Sequence, residues 1–363
     1  MNRRLIKYLV FLLITAIPGC KNYSNSEHGK IPSLKNIILF IGDGMGVSHL
    51  YAGMTISSQP FNLEKFPYSG FSKTYSADSY ITDSAAGGTA IACGEKTNNG
   101  MVGVRPDSTV LSSITAIAHK NGLATGVVST SALTDATPAS FVAHNPSRGN
   151  YEEIAGDFLN GSIDLFIGGG EDHFRKRKDS ADLTIKLKEQ GFDVVFTPDD
   201  MKKSTSNKLA ALLAKDDMPP VTAGRQGLLR EMTAKAIETL SKNKNGFVLV
   251  VEGSQIDWGG HENNLDYIAT ETIDLDAAIG AALEYASADG KTLVVVTADH
   301  ETGGMVLSGG DISTHTVEAI FAGSSHSAVM VPVFSYGPGA ERFSGIHENT
   351  FFFNEFLKLL GLK

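Results

Sequence analysis

Asp43, Glu252, Asp257, His261, Asp299, His300 and His326 carry the side-chain types that hold divalent cations, and each stands close to the end or start of a short apolar run. "NIILFI" at 36–41 leads into Asp43 between two glycines, and "FVLVV" at 247–251 leads into Glu252, then Asp257 and His261. "TLVVVT" at 292–297 leads into Ala298, Asp299 and His300; His326, in "GSSHSA", comes just ahead of "VPVFSY" at 331–336. "ATGVVST" is followed by "TDATP", which holds Asp135 and Thr137. Taken singly, an aspartate between glycines is a turn residue and a lone histidine a structural one. Taken together they call for cations, because carboxylates gathered on one rim repel one another unless positive charge sits between them. Mixed Asp/His ligation suits zinc, and an all-oxygen set such as Asp43, Thr137 and Glu252 suits magnesium. One hydroxyl joins them: "TDSAAGGTAIACG" at 82–94 puts Ser84 after Asp83 and ahead of small residues that can open a helix. Ser84 is therefore either a helix cap or a nucleophile, and a cation beside it is what makes a serine hydroxyl reactive.

Something must bring these residues together. The continuous apolar, β-branched runs, with "ATGVVS" at 124–129 and "IDLFIG" at 163–168 among them, suit central strands covered on both faces. Between them "STVLSSITAIAHKNG", "LREMTAKAIETLSKN" and "DLDAAIGAALEYASA" carry helical spacing. The pattern predicts an α/β three-layer sandwich, a large mostly parallel central sheet with helices on both faces. Ligands in such sheets bind beyond the carboxyl ends of the strands, where the polar residues collect. The stretch from about 172 to 230 is more charged and poorer in core strands, and reads as a variable insertion or an outer rim.

Composition narrows the function. Among 363 residues, 40 acidic against 31 basic side chains give a formal charge of −9, which argues against a nucleic-acid binder. Residues 1–20 pair a basic start (Arg3, Arg4, Lys7) with an apolar "YLVFLLITAI" too short to span a membrane, the pattern of a signal peptide. "PGC" ends it, and Cys20 resembles the lipid-modified cysteine of bacterial lipoproteins, although Ile17 stands where leucine is commoner. Residues 21–33 then read as a flexible tether and 34–363 as a single catalytic domain. The expected location is outside the cytoplasm, in the periplasm or on the cell surface, with the chain held to a membrane by its lipid. Cys93 is left as the only other cysteine, so the mature chain has no partner for an internal disulfide.

The chain closely resembles the alkaline phosphatases in "FIGDGMG", "TDSAAGGTA", "TDATPASFVAHNPSR", "VEGSQIDWGGHENN", "TADHETGG" and "GSSHSA", which occur in the family's order from residue 40 to 328. The resemblance implies metal-dependent hydrolysis of phosphate monoesters through a phosphoserine at Ser84, with two zinc ions and one magnesium. It implies that Asp257, His261 and His326 hold the first zinc, and Asp299, His300 and Asp43 the second. Asp43, Thr137 and Glu252 would bind magnesium, and Arg148 would clamp two phosphate oxygens. Asp83 would orient Arg148 or cap the local turn, and Asp135 would hydrogen-bond water on the magnesium. Five negative groups set against three such ions and Arg148 leave about +2, the complement of a phosphate dianion.

Two positions depart from better-studied members. Trp258 stands where some relatives place a lysine that touches phosphate, and Thr302 where some place a histidine behind the first zinc. A homodimer is the family's habit. Within the superfamily, a phosphodiesterase typically presents threonine as nucleophile, and a sulfatase needs a C/S-x-P-x-R frame that is absent here. A phosphomutase would return the phosphoryl group to a second hydroxyl. From another class, a metal- or phosphate-binding lipoprotein without turnover would need no Ser84.

Overall fold

The computed structural model describes residues 34–363; the expected signal peptide and tether lie outside the described residues. Fourteen strands follow in chain order: β1 (Asn36–Gly42), β2 (Tyr68–Lys73), β3 (Ala124–Ala132), β4 (Leu165–Gly169), β5 (Asp193–Val195), β6 (Leu209–Leu212) and β7 (Phe247–Gly253). They continue with β8 (Thr292–Thr297), β9 (Glu301–Thr302), β10 (Met305–Asp311), β11 (Thr316–Phe321), β12 (His326–Ser327), β13 (Val331–Tyr336) and β14 (Gly345–Glu348). Ten of them form one sheet in the order β14-β2-β13-β8-β1-β7-β3-β4-β6-β5. Only β13 runs against the rest, pairing antiparallel with both β2 and β8. The central pairs β8–β1, β1–β7 and β7–β3 are parallel, so their carboxyl ends share one rim.

After Asn36 the run "NIILFI" is apolar because both faces are covered. Ile37, Leu39 and Ile41 enter a core with the helices Ser84–Cys93 and Phe351–Leu360. Ile38 and Phe40 enter another with Leu228–Leu240 and Leu265–Asp289. This is the layering that alternation of side chains along a strand imposes when helices pack on both sides. Cys93 is buried in the first core, where desolvation pushes its thiol up to about 12, so it behaves as a small hydrophobe.

The charged stretch after residue 172 supplies β5 and β6, which extend the sheet to one edge. A buried ion triad ties it down. The fully enclosed Arg225 donates to Glu271, to Asp274 at 2.7 Å and to the Pro219 carbonyl at 2.8 Å. Arg225→Ala would leave two carboxylates buried without their cation, and urea unfolding should show a loss of about 3–5 kcal/mol. A loss below about 1 kcal/mol would mean that water reaches the triad.

Candidate active site

Asp43 follows β1, Glu252 ends β7, Asp299 and His300 follow β8, and Asp135 and Thr137 lie just past β3. The parallel register therefore delivers them to the same rim. Asp257 and His261 face it from the helix Gln255–His261, and His326 arrives on β12, which pairs with β9 directly after His300. Gly44 adopts φ of 70° in the turn after β1, where a Cβ would stand 2.8 Å from the Asp257 Cα. A side chain there would push the Asp43 turn and the Asp257 helix apart.

The histidines show what the rim is built to hold. His261 Nδ1 lies 2.8 Å from the Ser324 carbonyl and His326 Nδ1 2.9 Å from the Thr82 carbonyl. Those carbonyls accept a hydrogen bond from each Nδ1–H, so in the neutral rings both Nε2 lone pairs point inward. The two Nε2 atoms are 3.2 Å apart and lie 3.3 and 3.5 Å from the Asp257 carboxylate. Four ligands at about 2.0–2.1 Å from zinc stand roughly 3.3 Å from one another, so these separations match the edges of one tetrahedron. His300 repeats the arrangement. Its Nε2 is 3.3 Å from both Asp43 Oδ1 and Asp299 Oδ2, and 3.1 Å from Ser84 Oγ. Asp43, Asp299 and His300, and likewise Asp257, His300 and His326, each bring three ligand atoms within 4.8 Å of one another, so His300 stands between the two halves. Its ring stacks on His326 at 3.6 Å between centroids.

The carboxylates carry the complementary signal. Asp43 Oδ1, Asp299 Oδ2 and Glu252 Oε1 are buried with no hydrogen-bond partner. Burial, reinforced by Asp257, raises Asp299 to about 7, and burial raises Glu252 to about 8. Asp43 is pushed well above the usual carboxylate range by burial and by Asp299, Asp257 and Glu252. Groups arranged this way pay for their desolvation only when a cation joins them, so the donor set fits divalent metals. At Asp257 burial also opposes ionisation, but the His261 hydrogen bond and the charges of His300 and His326 prevail and hold it well below the usual range. The same contact raises His261 to about 9, against desolvation.

Thr137 Oγ1 is 3.3 Å from Asp43 Oδ2, and Glu252 Oε2 accepts from Ser129 at 2.5 Å and from Ser131 at 3.4 Å, with Ser254 close by. Thr302 donates to Asp257 and lies 3.2 Å from His300 Nδ1, which links the two halves of the site. Trp258 follows Asp257 on its helix and is half-buried.

Ser84 is the first residue of the helix Ser84–Cys93, and the cap is its neighbour: Asp83 Oδ1 accepts from the Ala86 amide at 3.0 Å. The cap role that the sequence left open for Ser84 thus belongs to Asp83. Asp83 Oδ2 also takes Arg148 Nη1 at 3.2 Å, and Asp135 Oδ1 takes Arg148 Nη2 at 3.1 Å. Desolvation disfavours the Arg148 charge, yet Asp135, Asp83 and Asp43 outweigh it and raise its pKa. The small residues explain how Ser84 reaches the rim. A Cβ on Gly87 would sit 3.1 Å from the Asp299 Cβ, so a larger residue would lift the helix off the metal-type ligands.

Reading the sequence alone misses Glu301 and His49. Glu301 accepts from the Met305 amide at 3.1 Å and from Ser327, beside His326, so it fastens β9 to β12. His49 lies behind it, fully buried, with Nε2 4.0 Å from Glu301 Oε1. The "HE" in "TADHETGG" was the one available signal, and it does not distinguish this glutamate from an exposed one.

Comparison with known proteins agrees with this geometry. The family model "Alkaline phosphatase" matches residues 34–322. Alkaline phosphatase 4 of Bacillus subtilis is 32% identical over 411 residues, covering 90% of this chain and 89% of the relative. The Escherichia coli alkaline phosphatase is 33% identical over 408 residues, covering 91% and 86%. The solved alkaline phosphatase from the Antarctic bacterium TAB5 superposes with a TM-score of 0.87 at 43% identity, covering 91% of this chain and 99% of that one.

Proposed function

The chain belongs to the alkaline phosphatase family and hydrolyses phosphate monoesters, and from that premise we propose that it works through a covalent phosphoserine at Ser84. The observation that carries this reading is Ser84 Oγ lying 3.1 Å from His300 Nε2, whose lone pair also faces Asp43 and Asp299. Asp257, His261 and His326 would hold one zinc; Asp43, Asp299 and His300 would hold a second; Asp43, Thr137 and Glu252 would hold magnesium. When bound, these ions supply the positive charge that favours the serine alkoxide, a departing alcohol oxygen and the attacking water.

The chain's own groups do the rest. Arg148, presented as a planar fork by Asp83 and Asp135, takes two non-bridging phosphate oxygens. The Ser84 oxygen forms a bond to phosphorus as the ester oxygen leaves and takes a proton to become the alcohol. The amino end of the ten-residue helix Ser84–Cys93 faces the transferred group with its positive dipole. Water then attacks the phosphoserine, the Ser84 oxygen leaves and recovers its proton, and inorganic phosphate departs. In the cell we place the mature protein outside the cytoplasm, held to a membrane by a lipid on Cys20 and paired as a homodimer. The support for the anchor is the amino-terminal sequence alone; for the dimer it is family habit.

The test is turnover of p-nitrophenyl phosphate against bis(p-nitrophenyl) phosphate, with elemental analysis of the purified protein. The monoester should be preferred by at least about 100-fold, and chelation should abolish turnover until zinc and magnesium are restored. Hydrolysis that survives exhaustive chelation would overturn the reading.

A further inference from the structure

An open cleft of about 530 Å³ begins at the residue after Arg148, with Tyr151, Glu152, Glu153, His173, Arg177 and Lys178 on its walls. Two tethers hold it beside the phosphate clamp. Tyr151 is three residues from Arg148, so their Cα atoms are at most about 11 Å apart. From the other side His173 Nδ1 lies 2.6 Å from Thr134 Oγ1, and Thr134 directly precedes Asp135, the partner of Arg148 Nη2.

The Tyr151 ring stacks on His173 at 4.9 Å between centroids and 14° between planes, so its orientation is fixed from behind. Tyr151 is nonetheless 39% exposed as a residue, and it lines the cleft. Charge decides what this surface suits. Glu152, Glu153 and Asp179 outnumber Arg177 and Lys178 on the walls, and the Arg177 guanidinium is already committed to Asp179 and to the Glu152 carbonyl. A second phosphate would meet net repulsion there. A flat uncharged ring would meet a prepared aromatic face, and such stacking is sequence-tolerant because every base has a π-face.

We infer that Tyr151 and His173 form a leaving-group platform that selects monoesters carrying a planar ring about one sugar away from phosphorus, the class of the nucleoside monophosphates. The inference rests on the reading of Arg148 and Ser84 as the phosphate site.

The experiment compares kcat/KM for adenosine 5′-monophosphate and ribose 5-phosphate, which share the sugar and the phosphate and differ in whether C1 carries the base or a hydroxyl. The intact enzyme should favour the nucleotide by about tenfold, and Tyr151→Ala should cut that ratio by about tenfold, chiefly through KM for the nucleotide. Tyr151→Phe should keep the ratio, because the ring face and not the hydroxyl makes the contact. Should Tyr151→Ala fail to fold, His173→Ala, which removes the backing of the ring, is read by the same ratio and should lower it. An unchanged ratio in the alanine variants, or equal efficiency on both substrates in the intact enzyme, overturns the platform alone. Failure to turn over either substrate overturns the phosphatase reading beneath it.

Discussion

Ser84→Ala lowers kcat for a phosphate monoester by about 10⁴-fold or more, with little change in KM and almost none in stability. The size follows from what remains. Without the hydroxyl no covalent bond forms, and water must attack the bound ester directly from a position that no side chain prepares. Arg148 keeps both its partners, so ground-state binding survives. Stability is the discriminating readout, because the cap of the helix is Asp83 and its bond to the Ala86 amide is untouched by the change. A helix-cap role for Ser84 would instead cost about 1 kcal/mol and spare turnover. Acid quenching during turnover of labelled substrate should trap a phosphoprotein from the intact enzyme and none from the alanine variant. Retention of activity within about tenfold would remove Ser84 from the mechanism.

Central strands were legible because burial on both faces keeps them mostly apolar and β-branched, with their few polar residues buried: "NIILFI", "TLVVVT" and "VPVFSY" map onto β1, β8 and β13 within a residue. Strands at the edges lack that signature. β2 alternates exposed and buried residues in "YSGFSK", β5 is three residues long, and the hairpin of β10 and β11 is largely exposed. The rim was legible for a related reason. An acid or imidazole directly after a buried strand has one place to go, so Asp43, Glu252, Asp299 and His300 could be placed without knowing the fold. Some groups that act at one remove could not. Ser129 and Ser131 read as ordinary strand residues until Glu252 is seen to lean on them, and the stack of Tyr151 with His173 joins segments whose spacing carries no period. The identity of the cap also turned on geometry, since Asp83 and Ser84 are both good cap residues and only the backbone decides which is the first helical one.

Removing the metals should destabilise the protein by on the order of 10 kcal/mol when each of three sites is held at about a thousand times its dissociation constant, and lower Tm by more than about 10 °C. The loss should grow with pH, and its sign can be worked out group by group. In the metal-free native state Asp299 titrates at about 7, Glu252 at about 8 and Asp43 well above the usual range, all driven first by burial. Unfolded carboxylates release their protons near about pH 4, so above that the native state binds more protons than the unfolded one, and stability falls as pH rises through the native values. His261, raised to about 9, acts in the same direction between its unfolded value of about 6.5 and 9. His300 is held well below its usual value by burial and by His326, so its effect has the opposite sign but is complete below about pH 6.5. Between about pH 6.5 and 9 every cited shift therefore points one way, each proton of difference being worth about 1.4 kcal/mol per pH unit. With metals bound the protons are already displaced, and affinity strengthens rather than weakens as pH rises. Thermal unfolding of chelated and loaded protein at the two ends of that range should show Tm falling with pH in the first and the gap between the two widening. A chelated Tm that stays level or climbs would mean the carboxylates of the rim are not waiting for cations.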